Sequence, residues 1–145
     1  MITFDHAIVK AAESIEKGDQ PLKKVSYDLD KLELVIVDEF QDCNPAQLRM
    51  IEALIKRGRK CRLLMVGDFD QNIFTWRGVD LGAINNFLKE RIDFKKDIKY
   101  LGNTYRLGQP LLELSQKLIR SNIDYQMFRN RFYKGYKLKA RGKYD

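Results

Sequence analysis

Acidic side chains follow two apolar runs of the chain. The first run, Leu34 to Val37, leads directly into Asp38 and Glu39. The second run, Arg62 to Val66, leads into Asp68. An aspartate offers a hard oxygen ligand to Mg²⁺, and a neighbouring glutamate can orient an attacking water molecule. An acid after a strand can equally cap the next helix, so the pair at the first run favours catalysis only slightly.

The segment after the second run concentrates side chains that can contact phosphates and bases. Residues 68–77 include Gln71, Trp76 and Arg77. An amide and a guanidinium can both reach phosphate oxygens, and a tryptophan offers a face on which a base can stack. A core tryptophan and a surface arginine are the structural alternatives. Packing alone hardly explains a Trp-Arg-Gly sequence in a loop. Gly78 lets the backbone turn sharply at this point.

Apolar residues at helical spacing predict helices that separate these segments. Thr3, Asn44 and Asp80 are suited to be N-caps, and Gly58 is suited to end a helix. The predicted helices are residues 3–17, the segment between Asn44 and Gly58, residues 81–91, and residues 110–120, the last with Leu111, Leu114 and Leu118 facing inward.

Two continuous apolar runs predict strands that are covered on both faces. A short third strand is predicted at Lys99 to Leu101. Strands that alternate with helices indicate a parallel α/β sheet, in which ligands collect at the C-terminal ends of the strands. We therefore expect the two acidic strand ends to lie on the same rim.

Composition excludes several classes of protein. The chain has 145 residues, 44% of them hydrophobic, which suits one compact globular domain. No run approaches the roughly 20 apolar residues that span a bilayer, and the N-terminus lacks an apolar signal core. Cys43, Cys61 and the single His6 form neither a disulfide framework nor a zinc motif. These features predict a cytoplasmic protein with reduced cysteines and no membrane partner.

The net charge of +7 is concentrated at the C-terminus. Residues 121–145 carry seven basic and two acidic side chains, a net charge of +5, interleaved with tyrosine and phenylalanine. Such a segment can follow a nucleic-acid backbone. A solvated terminus that keeps the protein soluble explains the same charge equally well.

Three ordered segments resemble a known family. "VDEFQD", "VGDFDQNIFTWRG" and "LGNTYR" resemble motifs II, III and IV of the UvrD/Rep family of superfamily 1 DNA helicases, and "ITFDHAI" resembles the helix before motif II. The resemblance covers residues 1–122. It implies a partial RecA-like, P-loop NTPase-type three-layer domain with a small parallel sheet flanked by helices. Residues 1–102 would be the C-terminal half of the first motor domain, and residues 103–145 the start of the second motor domain with a basic tail.

The resemblance also implies roles for individual residues in an ATP-dependent helicase of DNA repair. Asp38 corresponds to the Walker B aspartate, which holds Mg²⁺ through water, and Glu39 to the residue that activates the hydrolytic water. Gln71 and Arg106 correspond to the residues that contact the γ-phosphate of ATP from motifs III and IV. Trp76 and Arg77 would contact single-stranded DNA, and the remaining polar residues of motif II, Gln41 and Asp42, would couple nucleotide state to motif III.

One family element is missing from the chain. No G-x-x-x-x-G-K-[ST] motif occurs, and the only Gly-Lys pair, Gly142-Lys143, is followed by tyrosine. Without this loop there is no backbone nest for the phosphates, no lysine on them and no hydroxyl ligand for Mg²⁺. The chain is therefore expected to be a fragment of an ATP-dependent DNA helicase that is inactive alone.

The sequence is also compatible with two other functions. The chain could be a non-enzymatic nucleic-acid-binding module, or a subunit that completes a P-loop chain in trans. The acids at 38 and 39, with Gln71 and Arg106, have no purpose in a simple DNA-binding module. An exposed sheet edge is expected to recruit the missing half of the helicase or a second copy of the chain.

Overall fold

A computed structural model describes residues 3–18, 28–72, 78–120 and 138–141. The chain divides into two compact units, residues 1–91 and residues 92–145. Helices and small parallel sheets build both units, so the predicted α/β class is confirmed. In the described ranges no helix is both long enough and apolar enough to cross a membrane.

The first unit alternates helices with strands. Three short 3₁₀ turns connect these elements, and two of them follow the strand ends. The elements are α1 (Phe4–Glu16), β1 (Leu34–Val37), α2 (Pro45–Arg57), β2 (Arg62–Met65) and α3 (Leu81–Lys89), with 3₁₀ turns at Leu29–Lys31, Phe40–Asp42 and Phe69–Gln71.

The predicted helix caps are confirmed. Thr3 Oγ1 accepts a hydrogen bond from the His6 N–H at 3.3 Å. At α2, Asn44 and Gln47 form a reciprocal capping box, with bonds of 2.9 and 3.0 Å. Asp80 accepts from two N–H groups at the start of α3. These side chains satisfy backbone donors that have no partner inside a helix, which is why the helix starts could be predicted from sequence.

The core of the first unit lies between α1 and α2, and where the 3₁₀ turn after β1 packs against α3. Ala12, Ile15 and Ala53 are buried where the first two helices pack. Phe40, which follows β1, packs against Phe87 of α3 with ring centroids 5.8 Å apart. This second contact fixes the chain directly after the acidic pair.

β1 and β2 pair in parallel, but the described residues of this unit cover only one face of the two-stranded sheet. Leu34, Ile36, Leu64 and Val66 are 40%, 62%, 49% and 44% exposed, whereas the alternate positions are half-buried. The prediction of strands covered on both faces was therefore wrong. The helices of the described part of this unit shield one face, and an apolar run alone does not reveal how many layers cover it.

The second unit contains β3 (Asn103–Thr104), α4 (Gln109–Arg120) and β4 (Lys139–Ala140), with β3 and β4 parallel. The third strand was predicted at Lys99 to Leu101, and that position was wrong. Strand pairing starts where the Lys139 N–H donates to the Gly102 carbonyl at 3.0 Å. The partner strand comes from the basic C-terminal segment, so local sequence did not locate the pairing.

The inward face of α4 also differs from the prediction. Leu111, Leu114 and Leu118 are 59%, 55% and 66% exposed, whereas Leu112 is 3% exposed. Ser115, one turn after Leu112, donates its hydroxyl to the Leu112 carbonyl at 2.8 Å. Because this bond satisfies the hydroxyl within the helix, the face that carries Leu112 and Ser115 can turn inward.

Candidate functional site at the strand ends

The C-terminal ends of β1 and β2 meet, as predicted. The Val66 N–H donates to the Val37 carbonyl at 2.8 Å, and the Phe40 N–H donates to the Val66 carbonyl at 3.0 Å. These bonds continue the parallel pairing past both strands. Asp38 and Asp68 therefore lie on the same rim of the sheet.

Glu39 has a left-handed backbone, with φ 50° and ψ 43°. It is the only residue other than glycine with a positive φ in the described ranges. Asp38 supports this turn, because its Oδ1 accepts the Glu39 N–H at 2.9 Å. A left-handed conformation costs a residue with a Cβ about 1–2 kcal/mol. Strain of this kind persists only where neighbouring contacts hold it, and it is concentrated at functional sites.

Gln41 is the neighbour that holds Glu39. Its side chain is buried, with 1% of the residue exposed. Its Nε2 donates to Glu39 Oε2 at 2.7 Å, and its Oε1 accepts the Asp68 N–H at 2.9 Å. Its main-chain carbonyl accepts from Asn72 Nδ2 at 2.7 Å. One buried amide thus connects the glutamate after β1 to the segment after β2.

Gly67 leaves the space that this amide occupies. A Cβ at this position would lie 2.5 Å from Gln41 Oε1 and 3.2 Å from the Phe40 nitrogen. The glycine is required by close approach and not by a positive φ. The sequence predicted Gly67 only as the end of a strand. Its contact with Gln41, 26 positions earlier, leaves no pattern in the local sequence.

Gln71 is connected to the same rim through Asp68. Its Nε2 donates to Asp68 Oδ2 at 2.8 Å, while Asp68 Oδ1 accepts the Asp70 N–H at 3.0 Å. A continuous series of hydrogen bonds therefore runs from Glu39 through Gln41 and Asp68 to Gln71. Gln71 itself is exposed, so its amide is accessible to a ligand.

The donor set at the rim suits Mg²⁺ that is held mainly by water and phosphate. One oxygen of Asp38 binds the Glu39 N–H, and its second oxygen has no hydrogen-bond partner among the described residues. The described residues contain no group of three or more His, Cys, Asp or Glu side chains that could hold a metal ion. Mg²⁺ commonly binds through one or two carboxylates and keeps its remaining ligands as water and phosphate oxygens, which fits this arrangement.

Three further residues were predicted to belong to the site, namely Arg106, Trp76 and Arg77. Arg106 belongs to the second unit, where it is exposed and its N–H donates to Thr104 Oγ1 at 3.4 Å. Trp76 and Arg77 lie outside the described residues. The structure thus brings Asp38, Glu39 and Gln71 to one rim, whereas Arg106 belongs to the second unit.

The cysteine beside this rim is not suited to nucleophilic chemistry. Burial raises the pKa of the Cys43 thiol to about 11, and the negative charge of Asp42 adds to the increase. Cys43 and Cys61 are both free, as predicted. A protonated, buried thiol behaves as a small apolar side chain.

Comparison with known proteins identifies the family of this chain. The family model of the UvrD/REP helicase N-terminal domain matches residues 1–93, and the chain belongs to the UvrD/REP helicase family. Among its relatives, DNA helicase II of Haemophilus influenzae is 33% identical over 124 residues, which is 86% of this chain. ATP-dependent DNA helicase PcrA of Staphylococcus aureus and that of Staphylococcus epidermidis are each 30% identical over 85% of the chain. The chain spans 16% of the length of each of these relatives.

Proposed function

We propose that this chain supplies part of the ATP-driven motor of a DNA helicase. The observation that carries the proposal is the connection of Glu39 to Asp68 through the buried amide of Gln41. A glutamate held in a strained backbone and oriented by a buried donor is suited to position a water molecule. The same connection joins the hydrolytic residue to the segment that contains Gln71.

The first compact unit is assigned to the first RecA-like three-layer motor domain, which contains the rim, and the second unit to the start of the second motor domain. The sequence placed the boundary between residues 102 and 103, whereas the compact units divide between residues 91 and 92. Pairing of β3 with β4 supports this division, because both strands lie after residue 102.

In the complete motor, ATP and Mg²⁺ would bind at the rim of β1 and β2. Asp38 would hold Mg²⁺ through water, and the ion would supply neutralisation of the charge that develops on the phosphate oxygens. Glu39 would orient the attacking water. Gln71 would contact the γ-phosphate from the same rim, and Arg106 is the γ-phosphate ligand that motif IV would supply. An arginine in this role stabilises the transferring phosphoryl group and accounts for roughly 10³ to 10⁵ in rate.

Single-stranded DNA is the proposed nucleic-acid partner. Trp76 stacks on a base, and Arg77 contacts the strand beside it. Both residues follow Gln71 by a few positions, so movement at the γ-phosphate and movement at the DNA involve the same segment. Motif III therefore couples ATP hydrolysis to translocation and unwinding.

The 145-residue chain does not hydrolyse ATP alone. It contains no G-x-x-x-x-G-K-[ST] motif, so it lacks the backbone donors and the lysine that bind the β- and γ-phosphates. Electrostatic stabilisation of the transferring phosphoryl group is the main source of catalysis in this class.

A subunit that completes a P-loop-bearing chain in trans is a second candidate. The observation that favours it is the open apolar face at Leu34, Ile36, Leu64 and Val66. A contiguous apolar patch beside two sheet edges is suited to contact another part of a helicase or a second copy of this chain.

Fluorescence of Trp76, the only tryptophan, tests the proposed DNA contact. Single-stranded oligo(dT) is titrated at about 50 mM and about 200 mM salt. Saturable quenching that persists at the higher salt is expected, because a stacked base contributes about 1–3 kcal/mol independently of ionic strength. Trp76→Phe, followed by anisotropy of a labelled oligonucleotide, is expected to weaken binding accordingly.

Arg77→Ala and Arg59→Ala form a matched pair for this titration. Arg59 lies exposed in the turn between α2 and β2, at the opposite end of the strand from the rim. Arg77→Ala is expected to weaken binding by more than Arg59→Ala does. The oligonucleotide could instead bind without changing the fluorescence of Trp76, with an affinity that falls steeply at higher salt. In that case the C-terminal basic segment binds the DNA, and the proposed role of Trp76 is wrong.

A further inference from the structure

β4 places one arginine of the basic C-terminal segment beside the motif that contains Arg106. Asn103 pairs with Lys139, and Thr104 pairs with Ala140, in a parallel register. Arg141 is the first residue after β4 and Arg106 is the second residue after β3, so both arginines follow the C-terminal edge of this small sheet. In parallel sheets this is the edge at which ligands bind.

Thr104 connects the two arginines. The Arg141 N–H donates to the Thr104 carbonyl at 2.7 Å, and the Arg106 N–H donates to Thr104 Oγ1 at 3.4 Å. Both side chains are exposed at the edge. Thr104 therefore holds the main chains of both arginines close together. An arginine side chain is long enough for two guanidinium groups that extend from adjoining main chains to bind the same anion.

The Arg141 side chain is oriented by a neutral partner. Its Nε donates to Asn103 Oδ1 at 3.2 Å. This bond uses one of the five donors of the guanidinium and leaves its positive charge without compensation. Among the described residues, neither Arg141 nor Arg106 forms an ion pair with a carboxylate.

The start of α4 adds to the positive potential at this edge. α4 begins at Gln109, three residues after Arg106, and its first turn contains no acidic residue. The nearest acid on the helix, Glu113, accepts a hydrogen bond from Gln109 Nε2 at 2.8 Å. Among the described residues no carboxylate pairs with either arginine, and the positive end of α4 follows Arg106, so this edge favours a bound anion.

We propose that Arg141 and Arg106 together form a phosphate-binding site at the C-terminal edge of β3 and β4. The proposal rests on the proposed function in taking Arg106 as a phosphate ligand, and it adds Arg141 as the second ligand. A fixed guanidinium presents paired N–H donors that match phosphate oxygens. The ligand is a phosphoryl group, either of a nucleotide or of a nucleic-acid backbone. An arginine that served only solubility would need no side-chain anchor such as Asn103.

Guanidinium NMR on the full chain tests this site. The Nε–H signals of the two arginines are followed while inorganic pyrophosphate, ATP or oligo(dT) is added. Both signals are expected to shift together with one binding constant. Arg141→Gln is expected to weaken pyrophosphate binding seen at Arg106 by about three- to tenfold. Gln retains the backbone bond to Thr104, so β4 is preserved.

Two further variants separate position from charge. Asn103→Ala keeps both arginines and removes the anchor, and it is expected to weaken binding less than Arg141→Gln does. Lys95→Gln removes one exposed charge from a turn of the same unit and is expected to leave the affinity unchanged. If Lys95→Gln weakens pyrophosphate binding as much as Arg141→Gln does, net charge and not a site explains the binding, and the inference is overturned.

The remaining outcomes distinguish this inference from the proposed function. If Arg106 shifts with pyrophosphate and Arg141→Gln has no effect, the phosphate role of Arg106 stands and the assignment of Arg141 is wrong. If neither arginine responds to any of the three probes, both proposals fail for Arg106. Stronger binding of ATP and pyrophosphate than of oligo(dT) identifies a nucleotide phosphate, and the reverse order identifies a nucleic-acid backbone.

Discussion

Gln41 Nε2 lies 2.7 Å from Glu39 Oε2, and the same amide accepts the Asp68 N–H at 2.9 Å. The carboxylate of Glu39 is therefore oriented by a side chain that is also bound to the neighbouring strand end. A displacement of Asp68 changes the position of the donor on which Glu39 depends. This relationship offers a direct physical route between nucleotide and DNA contacts in the proposed motor.

Replacing Gln41 by methionine is expected to destabilise the chain. Methionine has a similar length but makes neither side-chain hydrogen bond, so the half-buried Asp68 N–H and one oxygen of Glu39 lose this partner. The expected cost is about 1–3 kcal/mol in the free energy of unfolding, measured by urea denaturation. Gln109→Met is the control, because Gln109 is exposed and bonds only to Glu113 through its side chain. Equal, small effects of both substitutions would contradict the assigned role of Gln41.

Gly67→Ala is expected to lower the free energy of unfolding by about 1–3 kcal/mol, because the new methyl group would overlap with Gln41 Oε1. Gly102→Ala is the control, since a Cβ there meets no atom within 4 Å. Thermal unfolding measures both. The cost of Gly67→Ala should fall in a Gln41→Ala background, where the overlapping atom is gone. A cost that is unchanged in this background would show that the strain lies elsewhere.

Cys61 is expected to react with iodoacetamide much faster than Cys43. With a pKa of about 11, only about one in a thousand Cys43 side chains is a thiolate at pH 8. The single variants Cys61→Ser and Cys43→Ser isolate each thiol, and mass spectrometry follows alkylation. The pKa of the Cys43 thiol in the folded chain exceeds its ordinary value of 9.0, so the stability that this difference provides is present below pH 9 and lost as pH rises towards 11. Rapid alkylation of Cys43 in the folded protein would contradict its burial.

The open face of the first sheet is expected to cause self-association at high concentration. Replacing Ile36 and Leu64 together by threonine should lower the apparent mass measured by light scattering, because it removes exposed apolar area. Leu111→Thr with Leu114→Thr is the matched control on the exposed face of α4. A monomer at high concentration in the unsubstituted chain would rule out association through this face.

No phosphate release from ATP is expected in the presence of Mg²⁺ and single-stranded DNA. The reason is that the chain lacks the phosphate-binding loop, which supplies most of the stabilisation of the transferring phosphoryl group. The Glu39→Gln variant is the control that measures the background rate. Turnover by the unsubstituted chain that Glu39→Gln abolishes would prove that the chain is catalytically competent as it stands.

Sequence predicted the parts of the fold that depend on local interactions. The caps at Thr3, Asn44 and Asp80 were correct because each side chain binds backbone groups two or three residues away. The shared rim was correct because parallel pairing follows from the alternation of strands and helices. The roles of Asp38, Glu39, Gln71 and Arg106, and those of Trp76 and Arg77, stay predictions.

Features that depend on distant partners could not be predicted. β3 forms where residues more than thirty positions later supply a strand, and the predicted position at 99–101 missed it. The exposed face of β1 depends on what covers the sheet, which an apolar run does not encode. The requirement for glycine at position 67 depends on the buried amide of Gln41, since the glycine has no unusual φ.

The left-handed backbone at Glu39 sets the thermal stability of the chain against the carboxylate that is proposed for catalysis. Asparagine or glycine adopts that conformation at lower cost than glutamate does, by about 1 kcal/mol. A library of variants selected for heat resistance alone would be drawn towards those residues at position 39. Such a selection would discard the carboxylate proposed to orient the hydrolytic water, so thermostabilised forms of this domain are poor guides to its catalytic capacity.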